Sequence, residues 1–214
     1  MKPPPESAAS PCACDGRVAD TRAGRRLEFL SLGWTLVEAT VALLAGLLAG
    51  SIALVGFGAD SVIEGLSSAV LLWRLQPHAA DAPREARALR LVGLCFLLLA
   101  AYVGFEAIHA LVRHEAPAAS PIGIGLAILA LIIMPVLARA KRRVAGRLKS
   151  AALAADSRQS SLCAYLSAIL LGGLFLNAAF GWWWADPVAA LVMVPIILRE
   201  GIQALRGEVC DDCH

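Results

Sequence analysis

The stretch from Ser51 to Arg74, SIALVGFGADSVIEGLSSAVLLWR, decides the fold. Its residues are mostly apolar or small, and as a helix it is long enough to cross the roughly 30 Å hydrocarbon core of a bilayer. Two carboxylates, Asp60 and Glu64, lie near its middle. A charged side chain at that depth costs at least about 2.5 kcal/mol on insertion scales. The stretch therefore predicts a membrane helix whose acidic residues are kept for a function.

The rest of the chain repeats this apolar pattern. The 214 residues are 58% hydrophobic and only 17% charged, with a mean hydropathy of +0.69, whereas about one quarter of a soluble domain is charged. Apolar segments run from about 27 to 48, 51 to 75, 91 to 112, 121 to 138, 151 to 176 and 183 to 198. The sequence predicts an all-α, polytopic membrane protein of six transmembrane helices in contact with the lipid bilayer. Its net charge of +2 does not indicate a nucleic-acid partner.

Basic residues collect on alternate connections. They are abundant before the first span and after the second, fourth and sixth spans, whereas the opposite connections hold only Arg113. The positive-inside rule then places both termini in the cytoplasm. We expect a disordered cytoplasmic tail at 1–26, a membrane domain at 27–205 and a short Cys/His tail at 206–214. The first tail has no apolar core of a signal peptide, and we expect no soluble domain after the sixth span.

Asp60 and Glu64 are the strongest candidates for a metal site. Their spacing of four residues places both carboxylates on one helix face. A cation between them would relieve both their burial and their mutual repulsion. The alternative is a protonated or hydrogen-bonded pair that joins helices.

The fifth span offers a second polar face. Its residues recur at helical spacing: Asp156, Gln159, Ser160 and Cys163. Oxygen, amide and thiol ligands opposite Asp60 and Glu64 would suit a borderline transition metal such as zinc. Alternatively, Cys163 is a packing residue, and Asp156 pairs with Arg158 or Lys149 at the membrane boundary.

Other ionisable residues in the spans are accessory candidates. Glu38, midway along the first span, could relay protons, line an entry path or bond a neighbouring helix. Glu106 and His109 lie near the outer end of the third span, as a titrating site or an interfacial pair. Asp186 precedes Pro187 and is interpreted as the N-cap of the sixth helix.

Both tails carry cysteines on the same predicted side of the membrane. The candidate accessory ligands for a soft metal are Cys12, Cys14, Cys210, Cys213 and His214. The last three also match the C-x-x-C-H pattern of c-type haem attachment, but a cytoplasmic tail lacks the exported compartment that this needs, so we expect no organic cofactor. The alternative is a pair of disordered tails with incidental cysteines.

Four short motifs resemble those of the cation diffusion facilitators. GSIAL at 50–54 and DSVIE at 60–64 resemble the second span of that family, and ADS at 155–157 and WADP at 184–187 resemble its fifth and sixth spans. The resemblance covers roughly residues 28 to 205. It implies a transporter rather than an enzyme, which exports zinc or a related divalent metal by proton antiport and works as a homodimer, here in a bacterial inner membrane.

The resemblance also implies a ligand set. The second-span pair falls on Asp60 and Glu64, but the fifth-span pair falls on Gln159 and Cys163, where the family has His or Asp followed by Asp. Asp156, one turn away, could supply the missing carboxylate. This departure leaves Zn, Cd, Co, Ni, Fe, Mn and Hg open as substrates. The chain resembles a short form without the family's C-terminal cytoplasmic domain, so dimerisation would fall to the membrane helices.

Two other functions remain open from sequence. The first is a membrane metal sensor or buffer that uses the cysteine tails without transport. The second is a membrane thiol-redox protein that uses C-x-x-C chemistry. The sequence contains no G-x-x-x-x-G-K-[ST] motif for ATP binding, which favours proton entry as the driving force of a transporter.

Overall fold

Six α-helices make up the architecture. The computed structural model describes residues 11–74, 82–115, 117–148 and 151–206, and within these ranges the chain forms no strand. The helices are α1 (Pro11–Ala49), α2 (Ile52–Arg74), α3 (Ala82–Arg113), α4 (Pro121–Leu148), α5 (Ala151–Phe180) and α6 (Ala185–Arg206). The prediction of an all-α fold is confirmed.

Two helices extend well beyond the predicted spans. α1 begins at Pro11, so residues 11–26 are helical, and the prediction of a disordered tail is wrong for that part. α4 continues through Pro135 and past Ala138 to Leu148. Both extensions are rich in alanine and arginine, which favour helix. The change from apolar to polar residues therefore does not mark where α1 begins or where α4 ends.

The helices carry the lengths and surfaces of a polytopic membrane protein. Among the described residues, four stretches are long and apolar enough to cross a membrane: Arg22–Ala49, Gly93–Arg113, Pro121–Leu148 and Asp156–Phe180. Large apolar side chains lie on the outside of the helices, among them Leu36, Leu48, Leu98, Phe105 and Ile132. Lipid tails solvate such side chains, and helices satisfy their own backbone hydrogen bonds in lipid.

The helices pack as a central group with a flanking pair. α1 packs on α2 and α4, and α5 packs on α4, α2 and α6. α3 and α6 pack closely on each other and contact α2. A Cβ at Gly93 would lie 2.8 Å from the backbone nitrogen of Leu205, and one at Gly201 would lie 3.1 Å from the carbonyl oxygen of Gly93. Glycine therefore allows the α3 and α6 backbones to touch, as small residues do between membrane helices.

The connection between α1 and α2 is a two-residue turn. It consists of Gly50 and Ser51, and Gly50 has φ 67°. Such a short connection makes α1 and α2 an antiparallel hairpin. Ser51 caps α2, because its hydroxyl accepts a hydrogen bond from the backbone N–H of Leu54 at 3.1 Å.

Asp186 caps α2 rather than α6. Its carboxylate accepts hydrogen bonds from the Ser51 hydroxyl at 2.5 Å and from the backbone N–H of Ile52 at 3.0 Å. The prediction that it is the N-cap of the sixth helix is wrong, because α6 begins one residue earlier, at Ala185. Asp186 lies in the first turn of α6, where a negative charge interacts favourably with the helix dipole. One buried carboxylate therefore serves the N-terminal ends of two helices.

Candidate functional site

Helices α1, α2, α4 and α5 enclose a buried polar cluster. Each of its side chains is at most 7% exposed: Glu28, Ser31, Glu38, Asp60, Ser61, Glu64, Ser68, Lys141, Asp156, Ser160 and Cys163. Burying a charge is costly unless it is paired and hydrogen-bonded. Burial of these ionisable groups is therefore costly to the fold, and their contacts determine what the cluster can bind.

Lys141 of α4 lies at one end of this cluster. Its side chain is completely buried, and its ammonium donates hydrogen bonds to Asp156 and, at 2.8 Å, to the Ser31 hydroxyl. The same nitrogen lies 3.6 Å from a carboxylate oxygen of Glu28, an ion pair without a hydrogen bond. One ammonium thus joins α1, α4 and α5.

Asp156 has a basic partner, but neither of those expected from sequence. It pairs with Lys141, and its second oxygen accepts a bond of 3.5 Å from Ser68 of α2. Arg158 is exposed, and Lys149 lies outside the described residues. The predicted end of the fourth span near residue 138 leaves Lys141 in the basic connection that follows, which is wrong because α4 continues to Leu148.

Asp60 and Glu64 lie side by side in the interior, as their spacing predicts. Asp60 is 7% exposed and Glu64 is 1% exposed. Glu64 accepts a hydrogen bond of 3.0 Å from the Ser160 hydroxyl of α5, while its other oxygen has no hydrogen-bond partner. The polar faces of the second and fifth spans therefore meet, as the sequence predicts.

Glu38 of α1 belongs to the same interior. It accepts a bond of 3.3 Å from the Ser61 hydroxyl, and the Cys163 sulfur lies 3.9 Å from the same carboxylate oxygen. The other oxygen of Glu38 is buried without a hydrogen-bond partner. Gln159 lies at the edge of the α5 polar face, half-buried, and its amide nitrogen has no partner. Glu38 and Glu64 thus both have acceptor capacity left over, on either side of Cys163.

The remaining candidate residues lie apart from this cluster or outside the part of the chain that the structure describes. Glu106 and His109 are half-buried on α3, where the His109 ring stacks on Phe105. The side chains of Cys12 and Cys14 are outside the described part, as are the residues Cys210, Cys213 and His214. Within the described ranges, no three His, Cys, Asp or Glu side chains converge closely enough to hold a metal ion in this conformation.

Sequence reasoning missed Lys141 and Glu28. A signal for Lys141 was available, because Met134, Ala138, Lys141 and Ala145 recur at helical spacing and are all buried. Its place in a basic run, next to Arg142 and Arg143, hid that pattern. Glu28 lies at the start of the predicted first span, and nothing in its own neighbourhood distinguishes it from a surface residue.

The comparisons with known proteins decide the family. Residues 90–209 match the cation efflux transmembrane domain. This protein belongs to the cation efflux family. The match covers more than half of the chain and includes Lys141, Asp156 and Cys163. The resemblance inferred from the short motifs is confirmed.

Two relatives extend the likeness over most of the chain. The chain is 30% identical to transmembrane protein 163 of Xenopus laevis over 186 residues, which are 86% of this chain and 66% of that protein. It is 28% identical to an uncharacterized transporter of Synechocystis over 197 residues, 88% of this chain and 64% of that protein. The chain therefore spans just under two thirds of the length of these two relatives.

Proposed function

We propose that the protein is a secondary active transporter that exports a divalent transition-metal cation, with zinc as the leading substrate, in exchange for protons. Membership of the cation efflux family supports transport of a cation. The observation that carries the proposal is the pair Asp60 and Glu64, buried one turn apart in the centre of α2. Two buried carboxyl groups in a membrane helix are costly for folding, whereas a transported cation would be bound by them.

The surroundings of the pair suit a borderline or soft divalent cation. The Cys163 thiol and the Glu38 carboxylate lie beside the Glu64 side of the cluster. We assign Asp60, Glu64 and Cys163 as the principal ligands. Gln159 would contribute its amide after a small rotation of α5, and Asp156 would contribute its carboxylate only after leaving Lys141. Thiolate and carboxylate donors together favour zinc-like ions over magnesium or calcium.

Exchange for protons follows from the chemistry of these ligands. A carboxylate or thiolate binds either a proton or a metal, so metal release and protonation are coupled. A potential of about 100 mV, negative inside, opposes exit of a divalent ion by about 4.6 kcal/mol. Inward proton movement supplies that free energy. Glu38 is the candidate to carry the proton, since one of its buried oxygens has no hydrogen-bond partner.

Assembly and location complete the proposal. We place the protein in the cell membrane, in bacteria the inner membrane, as a homodimer formed through its membrane helices. The cysteine tails would collect metal on the cytoplasmic side. Removing both tails separates this role from the rival sensor function, because transport by the membrane site survives the deletion and a tail-based response does not.

Proteoliposomes loaded with a pH-sensitive dye test the function. Zinc added on one side should drive proton movement with the parent, and Asp60→Asn or Glu64→Gln should abolish it. Glu115→Gln, which changes an exposed acid outside the cluster, should leave the flux unchanged. Parent-like flux from Asp60→Asn would sink the assignment. Repeating the assay with Cd, Co, Ni, Fe, Mn and Hg identifies the substrate range.

A further inference from the structure

Lys141 and the two carboxyl groups around it, Glu28 and Asp156, form the Lys141 group. This group lies between one end of the bundle and the central pair, Asp60 and Glu64. α1 and α5 begin at this end, and α2 and α4 finish there. At about 1.5 Å per helical residue, Lys141 lies roughly 10 Å from the end of α4 and Glu64 roughly 15 Å from the end of α2. Lys141 therefore lies at a depth between this end of the bundle and Glu64.

This group holds two carboxyl groups for one ammonium. Glu28 and Asp156 both face the one ammonium. Glu28 is 0% exposed, and neither of its carboxylate oxygens has a hydrogen-bond partner. A buried carboxyl group in that state is costly. A cation that binds it more strongly than the ammonium does would lower its free energy. The group therefore has the features of a cation site, with a side chain of the protein as its occupant.

A single hydroxyl links this site to the central pair. The Ser160 oxygen lies 3.4 Å from the Lys141 nitrogen and 3.0 Å from a carboxylate oxygen of Glu64. Ser68 of α2 also reaches Asp156 at 3.5 Å. The two sites are thus neighbours that share polar contacts, with no apolar layer between them along this path.

We propose that Lys141 is a tethered counter-cation: its ammonium occupies a cation site formed by Glu28 and Asp156, and the transported cation displaces it there on the way to or from Glu64. This inference rests on the proposed transport function. Lysine suits the role because its ammonium is a compact charge on a flexible four-carbon stem. When a divalent ion takes the carboxylates, the ammonium retains the Ser31 and Ser160 hydroxyls as acceptors.

The direct test counts bound zinc on the purified full chain by equilibrium dialysis. Lys141→Met keeps an unbranched side chain, one atom shorter, but removes its charge, so it should bind one more zinc ion per chain than the parent. Adding Asp156→Asn to Lys141→Met should remove that extra ion. Arg142→Met removes the same charge from the adjacent, exposed position of α4 and should bind as the parent does. No gain of zinc in Lys141→Met overturns the inference.

A second variant keeps the inference testable should Lys141→Met fail to fold. Lys141→Arg retains the charge, but guanidinium holds carboxylates with two parallel bonds. We expect normal folding and about a tenfold slower zinc transport, which corresponds to a cation held about 1.4 kcal/mol more firmly by the two carboxyl groups. A rate equal to that of the parent would show that the cation is only a structural link between helices.

The outcomes separate this inference from the proposed function. If the parent moves no zinc but Lys141→Met gains a zinc ion, transport and the displacement step are refuted, while the cation site formed by Glu28 and Asp156 stands. If the parent transports zinc and Lys141→Met gains none, transport stands and the tethered counter-cation is refuted.

Discussion

Replacing Asp186 by alanine gives the sharpest test of how the helices are held together. The side chain is 0% exposed and accepts hydrogen bonds from the N-terminal end of α2, namely from the Ser51 hydroxyl and the backbone N–H groups of Ile52 and Ala53. Removing it leaves those donors without their acceptor in a water-poor interior. The Ser51 hydroxyl keeps its bond with Leu54 N–H, so part of the cap survives.

The expected loss follows from the geometry. The bonds of 2.5 and 3.0 Å are of good length and go to a charged acceptor, whereas the bond of 3.4 Å to Ala53 is weak. Losing an N-cap acceptor costs about 1 kcal/mol, and losing a hydrogen bond to a charged group costs about 2 kcal/mol. We therefore expect Asp186→Ala to lower the free energy of unfolding by about 3 kcal/mol. Asp186→Asn keeps one acceptor oxygen and should lose about 1 kcal/mol.

Thermal unfolding of the purified protein in detergent measures this loss. For a chain of this size, each kcal/mol corresponds to about 3 °C, so Asp186→Ala should melt about 9 °C below the parent. Glu115→Ala, at an exposed acid, is the matched control. Melting of Asp186→Ala together with that control would refute the assignment of Asp186 as the cap of α2.

Three further substitutions test other parts of the structure. Gly50→Ala should cost about 1 kcal/mol, because φ is 67° while the space around a Cβ is open; an unchanged melting temperature would argue against this turn. Gly201→Val should cost about 3 kcal/mol by forcing α3 from α6, since a Cβ there already lies 3.0 Å from that of Phe96; a parent-like melting curve would contradict the close packing. Cys163→Ala should lower the rate of cadmium transport relative to zinc in proteoliposomes, because a thiolate favours the softer ion; an unchanged ratio would exclude Cys163 as a ligand.

Much of the site follows from local sequence patterns. The pair on α2 and the polar face of α5 could be predicted because helical spacing alone decides which residues share a face. Charged residues within apolar stretches then drew attention to Asp60 and Glu64. These inferences need no knowledge of which helices are neighbours.

The predictions that were wrong concern where helices end and which residues distant in sequence are in contact. The end of α4 was placed too early because Arg139 and the basic residues after it resemble a membrane boundary. Asp186 lies 135 residues from its partner Ser51, so only the packing of α6 against α2 identifies what it caps. A local pattern carries no information on either point.

The pairing of Lys141 with Asp156 has a consequence for biosynthesis. The two residues are 15 positions apart and belong to consecutive helices. Each alone would enter lipid as an unpaired charge, at a cost of about 3 kcal/mol for either residue at the centre of a span. Inserted together, α4 and α5 bring the opposite charges into contact soon after synthesis. We therefore expect the hairpin of these two helices to insert into the membrane as one unit, because the ion pair lowers the cost of its entry into the bilayer.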